Sequence, residues 1–320
     1  MSMLTAPFIT KLEQAERILI AGAGGGFDVF CGLPLYFALQ AQGKAVHLAN
    51  FSFTNLEAFE GNWITPSIMK VTPETKGFKG LYFPEWYLTQ WLAENGESSP
   101  AVYSFQRNGV LPLIENYQKL CEMLNIDAIV MVDGGTDSLM RGDEDGLGTP
   151  GEDLASITAV SAVAVPQKML ICLGFGVDHY HGVSNDLTFN AIADLTQIDG
   201  FLGSLSLLSQ MPEVQKYVAA SEYVFAAMPN DISIVSSSII SAIKGHYGNH
   251  HTTDRTKGSY LWVNPLMPIY WFFDLQSIVK RNLLCEHLYI TEYFDQVIRT
   301  ITVYRRQQLK NVRHRTAIPD

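Results

Sequence analysis

Three groups of residues in this 320-residue chain have the types and spacing for chemistry, and each follows a short apolar run. In the first, Asp133 and Asp137 flank Gly134 and Gly135, and Asp143, Glu144, Asp145, Glu152 and Asp153 follow. Clustered carboxylates at the end of a strand suit Mg²⁺, which takes oxygen ligands and shares them with a phosphate. The spacing does not match a calcium EF-hand loop. Asp and Gly also end strands without any ligand, and Asp143 to Asp145 read equally well as a solvated surface turn. In the second group, Asp178, His179 and His181 follow Gly174 and Gly176. They offer a general base or metal ligands. A polar loop leading into the next helix is the plain alternative.

The third group is Gly22-Ala23-Gly24-Gly25-Gly26-Phe27-Asp28. Glycines let the backbone approach a ligand, and a helix that follows offers free N–H groups to an anion. Gly22, Gly24, Gly25 and Gly26 exceed the needs of a tight turn, so the loop reads as a binding site for a nucleotide or phosphorylated metabolite. Phe27 replaces the last glycine of the dinucleotide fingerprint, and Asn50 stands where a ribose-binding acid is expected. NAD and S-adenosylmethionine are therefore disfavoured rather than eliminated. No Gly-Lys-Ser/Thr follows, so the loop is not a P-loop. Asp28 reads equally as a helix cap and as a group facing the ligand. Gly134, Gly135 and Asn50 complete the expected ligand set with Arg255, which ends the polar stretch His246-Tyr247-Gly248-Asn249-His250-His251-Thr252-Thr253-Asp254-Arg255. That stretch suits anion recognition or a mobile loop over the ligand.

Positioning these groups requires a strand before each loop. Apolar runs at 17–21, 44–50, 101–105, 127–132 and 168–173 read as buried strands. Helices are expected at 28–42, with Pro34 marking a start near Gly32, and at 111–124, 154–165 and 185–196. Residues 54–100 have no clean period and read as an irregular excursion carrying one helix at 85–94. Beyond 210, helices are expected at 213–228, 233–244, 271–282 and 291–308, the last capped by Thr291, with a short strand at 260–263. Strands alternating with helices predict a Rossmann-like α/β fold: a mostly parallel sheet, helices on both faces, and a helical C-terminal part. The expected division is a core over 1–210 and a mainly helical part over 211–320, packed on that core and continuous with it in one reading. In a parallel sheet the three loops converge on one edge.

Composition bounds the function classes. Hydrophobic residues make up 47% and charged residues 17%, enough for a large core. The net charge of −10 argues against a general nucleic-acid binder. Arg299, Arg305, Arg306, Lys310, Arg313 and Arg315 form a local basic exception that fits a helix ending. Cys31, Cys121, Cys172 and Cys285 show no metal-type spacing and read as buried thiols in a reducing compartment. No signal-peptide pattern opens the chain, and the aromatic stretch 260–273 is too short and too Pro-interrupted to span a bilayer. A cytoplasmic protein with no membrane partner is expected.

Several stretches together resemble an uncharacterised archaeal and bacterial family, the domain of unknown function numbered 1152. They are Ala21 through Asp28, Asp133 through Asp137, Pro150 to Asp153, and Tyr270-Trp271-Phe272-Phe273-Asp274. The resemblance implies a Rossmann-like protein over most of the chain and brings no reaction with it. Two functions follow from the residues. One is an Mg-dependent hydrolase or transferase, with the ligand on the glycine loop, Asp133 and Asp137 on the metal, and Asp178, His179 and His181 handling protons. The other is a nucleotide-sensing or assembly protein that forms homo-oligomers and turns nothing over.

Overall fold

A computed structural model describes residues 5–77, 80–308 and 312–314. Helix α1 (Pro7–Gln14) leads into β1 (Arg17–Gly22), then α2 (Asp28–Cys31), α3 (Leu33–Ala41) and β2 (Ala45–Phe51). The hairpin of β3 (Asn62–Thr65) and β4 (Ile68–Val71) precedes α4 (Pro84–Glu94), β5 (Val102–Phe105), α5 (Val110–Leu124) and β6 (Ala128–Asp133). Next come α6 (Pro150–Ala162), β7 (Gln167–Cys172), α7 (Asn185–Gln197), β8 (Phe201–Ser206), α8 (Pro212–Ala227) and α9 (Ile234–Ile243). A two-strand ribbon of β9 (Gly248–Asn249) and β10 (Trp262–Val263) leads to β11 (Ile269–Asp274), α10 (Leu275–Arg281), α11 (Cys285–Leu288) and α12 (Phe294–Gln308).

Nine strands form one sheet in the order β3-β4-β5-β2-β1-β6-β7-β11-β8. The five from β5 to β7 run parallel, and the flanking pairs are antiparallel. The chain steps outward from β1 to β2 and β5, then crosses back to β6 and β7. The reversal lies between β1 and β6, which is where a sheet of this kind opens a crevice beyond its strand ends. β1 is buried past its first residue and feeds both faces. Ile18 and Ile20 join one hydrophobic cluster, Leu19 and Ala21 the other. Helices α2, α3, α4 and α8 cover the first face, and α5, α6, α10 and α12 cover the second. The mixed α/β fold with a mostly parallel sheet and a helical C-terminal segment is as the sequence predicts.

Several elements differ from expectation, each for a local reason. The segment read as a helix from 271 begins as strand β11. Its side chains alternate, with Tyr270 and Phe272 on one face and Trp271 and Phe273 on the other. Asp274 then caps α10 by accepting from the Ser277 amide at 3.0 Å. So the stretch beyond 210 contributes a strand inserted between β7 and β8. Strand β8 escapes a hydrophobicity reading because Gly203, Ser204 and Ser206 dilute it. The excursion after β2 contains the β3–β4 hairpin as well as the expected helix. The helix expected over 28–42 is broken at Gly32, whose Cβ would lie 2.5 Å from Ile20 Cγ2. Thr291 does not cap α12; its hydroxyl accepts from the Val110 amide and donates to the Leu288 carbonyl. Of the basic C-terminal group, Arg305 reaches the Glu144 carbonyl and Arg313 pairs with Asp194, while Lys310 and Arg315 lie outside the described residues. The four cysteines are buried and free. No described helix is long and apolar enough to cross a membrane.

Candidate functional site

The crevice between β1 and β6 holds a cavity of about 800 Å³, within the usual range for small-molecule sites. All three loops reach it. Gly24, Gly25, Gly26 and Asp28 come from β1, Asp133, Gly134 and Asp137 from β6, and Asp178, His179 and His181 from the turn after β7. Arg255 joins them from the segment between β9 and β10.

Three expected ligand residues sit behind the wall. Gly22 packs against Asn50, where a Cβ would fall 2.1 Å from Oδ1. Asn50 itself is fully buried and donates through Nδ2 to the Gly26 carbonyl at 2.8 Å and to Glu85 Oε1 at 2.9 Å. Burial pushes the Glu85 carboxyl up, against the opposing hydrogen bond from Asn50. The position of a ribose-binding acid is thus turned inward as a brace for the glycine loop. Gly135 makes room for Asp178, whose Oδ2 would lie 2.6 Å from its Cβ.

The glycine loop closes around carboxylates. A Cβ on Gly24 would meet Asp153 Oδ1 at 2.7 Å and Asp28 Oδ2 at 2.8 Å, and one on Gly134 would meet Asp28 Oδ1 at 2.7 Å. The Gly24 amide donates to Asp28 Oδ2 at 2.6 Å, the Gly26 amide to the Phe51 carbonyl at 3.3 Å, and the Asp28 amide to the Gly25 carbonyl at 3.1 Å. These three amides have partners within the protein. The following helix is a single turn, four residues long. The loop's positive pole is therefore answered by Asp28, and a bound anion needs another positive partner.

Asp28, Asp133 and Asp153 each present an oxygen, and the three oxygens lie within 4.8 Å of one another. Oxygens on opposite sides of a Mg²⁺ or Ca²⁺ ion are about 4–5 Å apart. Asp133 and Asp153 are 2% and 3% exposed. Asp133 accepts from the Ser138 hydroxyl, and Asp153 Oδ1 has no hydrogen-bond partner. Burial pushes Asp133 and Asp153 well above the carboxylate range, and the neighbouring Asp137 charge pushes the same way. Asp28 is pushed up to about 7, burial outweighing the amides of Gly24 and Gly134. Such repulsion is relieved by protons or by a cation.

Asp137 and Asp178 stand beside this set with other partners. Asp137 Oδ2 accepts from the Thr149 amide at 2.8 Å, and Asp178 Oδ2 from the Thr136 amide at 2.7 Å. Burial raises both. His179 and His181 are exposed at the mouth, with Tyr180 between them 75% exposed.

Asp153 is the residue the sequence reading did not single out. Starting α6 at 154 leaves Asp153 as the end of a loop. Pro150 at the first helical position, with Glu152 and Asp153 in the first turn, is the signal that starts the helix four residues earlier and carries Asp153 to the cavity. Glu152, from the same acidic stretch, also lines the cavity, as do Tyr82 and Asp231, which carry no sequence signal of their own. Asp143 and Glu144 lie elsewhere. Glu144 caps the turn at Arg141 and Gly142, and Asp143 pairs with Arg141.

A family described as "Protein of unknown function (DUF1152)" matches residues 19–303. No curated protein and no solved structure matches the chain.

Proposed function

The chain belongs to the DUF1152 family, and from its cavity we propose a divalent-cation-dependent enzyme that hydrolyses or transfers a group on a nucleotide or other phosphorylated small molecule. The observation that carries this reading is the set Asp28, Asp133 and Asp153, with an unpartnered buried oxygen on Asp153. Seven carboxylates line the cavity against Arg255 and Lys257. A bare phosphate would be repelled there, whereas a phosphate riding on Mg²⁺ bound by the three aspartates is attracted. The cation would polarise the phosphoryl oxygens. Asp178, His179 and His181 line the same cavity and would take a proton from water or give one to a leaving group. Arg255 and Lys257, on the outer wall, are suited to a second anionic group of the substrate.

The test is turnover of a panel of nucleotides and sugar phosphates with Mg²⁺ or Mn²⁺, repeated after chelation and with Asp133→Asn. Activity that needs the cation and falls at least about 10²-fold in the variant is expected. Turnover that survives chelation overturns the reading. Tight binding of a phosphorylated ligand with no turnover on any substrate favours a non-catalytic nucleotide sensor.

A further inference from the structure

Glu152 lines the same cavity one residue before Asp153, and its charge bears on both Asp28 and Asp153. It is nevertheless outside the close oxygen set. Its partner is Arg107, from the connection between β5 and α5, which pairs through Nη2 with Glu152 Oε1. The Glu152 side chain is 13% exposed, so this is a contact made at the edge of the buried floor.

Arg107 is itself held. Its guanidinium lies 4.9 Å from the ring centroid of Phe53 and 5.1 Å from that of Phe294 on α12. A cation set over two rings is a place that favours the flat, weakly hydrated guanidinium of Arg over the ammonium of Lys. Phe53 in turn lies against the glycine loop, where a Cβ on Gly25 would meet its Cε1 at 2.8 Å and one on Gly26 its Cε2 at 3.1 Å. One side chain thus ties an acid of the cavity floor to the ring that covers Gly25 and Gly26.

Resting on the cation reading above, we infer that Arg107 is a positioning residue that withholds Glu152 from the cation, leaving three aspartates as ligands and a fourth carboxylate in reserve. A guanidinium and a divalent cation compete for the same Glu152 oxygens. Breaking the Arg107 clamp frees Glu152 to swing toward the ion, and the site gains a ligand. Entry of a substrate that displaces Phe53 would loosen the same clamp and couple substrate binding to cation affinity.

The sign of one effect separates this role from a structural one. Mn²⁺ alone is titrated calorimetrically into the wild-type protein, Arg107→Met, and Arg107→Met combined with Glu152→Gln. Arg107→Met is expected to bind Mn²⁺ on the order of tenfold more tightly, about 1.4 kcal/mol, and Glu152→Gln is expected to remove that gain. A merely structural Arg107 would give equal or weaker binding, which overturns the inference. So does a gain that survives Glu152→Gln, since it would come from lost charge alone. If Arg107→Met does not fold, Arg107→Lys carries the test. Lacking the planar fork, it should bind Mn²⁺ more tightly than wild type by about threefold, and no gain again overturns the latch. A wild-type protein that binds no Mn²⁺ overturns the cation reading and the latch together. Wild-type binding with no gain in the variants overturns the latch alone.

Discussion

At the floor of the cavity, Asp133 and Asp153 are almost sealed from solvent, while at the mouth Tyr180 is 75% exposed between His179 and His181. The floor is over-determined. Gly24 and Gly134 are shaped around Asp28, Ser138 holds Asp133, and Thr149 holds Asp137. The mouth comes from a single turn after β7 and from the segment between β9 and β10, with few buried anchors. Rigid, mutually repelling acids are what a cation site needs before the cation arrives, since their geometry costs nothing further on binding. Exposed imidazoles and tyrosines are what a changing ligand needs at an entrance. Under the proposed function, the difference separates a region that would hold one small ion from a region that would meet substrate and solvent.

That separation can be broken at the floor first. Asp153→Asn replaces a buried carboxyl that burial keeps from ionising and whose Oδ1 has no partner. In cation-free protein it is expected to raise stability by about 1 kcal/mol, roughly 2 °C in Tm for a chain of this size. The same variant should lose the Tm increase that Mn²⁺ gives the wild type. Functional acids commonly show this opposition between stability and binding. A variant less stable than wild type would mean that Asp153 has a structural partner and that the floor is not strained.

At the mouth the effect on the cation should be small and the effect on turnover large. Alanine at both His179 and His181 is expected to leave Mn²⁺ affinity within about threefold, because neither ring reaches the close oxygen set. Turnover should fall by about 10²-fold if the rings move protons. A large loss of cation affinity would join mouth and floor into one site and end the distinction.

The sheet was legible where hydrophobic runs are long. β1, β2, β6 and β7 are mostly buried strands of six or seven residues, with Gly22, Asn50, Asp133 and Gly174 at or within two residues of their ends, and their loops point to one edge for topological reasons. β8 and β11 were hidden because their partners are distant in sequence and their residues are Ser-rich or aromatic throughout. Asp28, Asp133 and Asp178 could be found as acids at strand ends. Asp153 was legible only as the last acid of the loop that follows β6, because its place in the first turn of α6, which carries it to the cavity, was not read. The inward turn of Asn50 was also illegible, because its cause is Glu85, thirty-five residues away.

The most direct test of the central claim is calorimetric titration of Mn²⁺ into the wild-type protein at pH 6 and pH 8. Burial raises the folded-state carboxyl groups, Asp28 to about 7. The cation-free protein therefore keeps their protons at low pH, where the cluster is unstrained, and loses that stabilisation as pH rises through the raised values. A cation must displace the remaining protons, so binding should be weaker at pH 6, with protons released, and tighter at pH 8. One Mn²⁺ site that strengthens with pH is the predicted result. No binding at either pH, or binding of equal strength with no proton release, would contradict a cation centre at Asp28, Asp133 and Asp153.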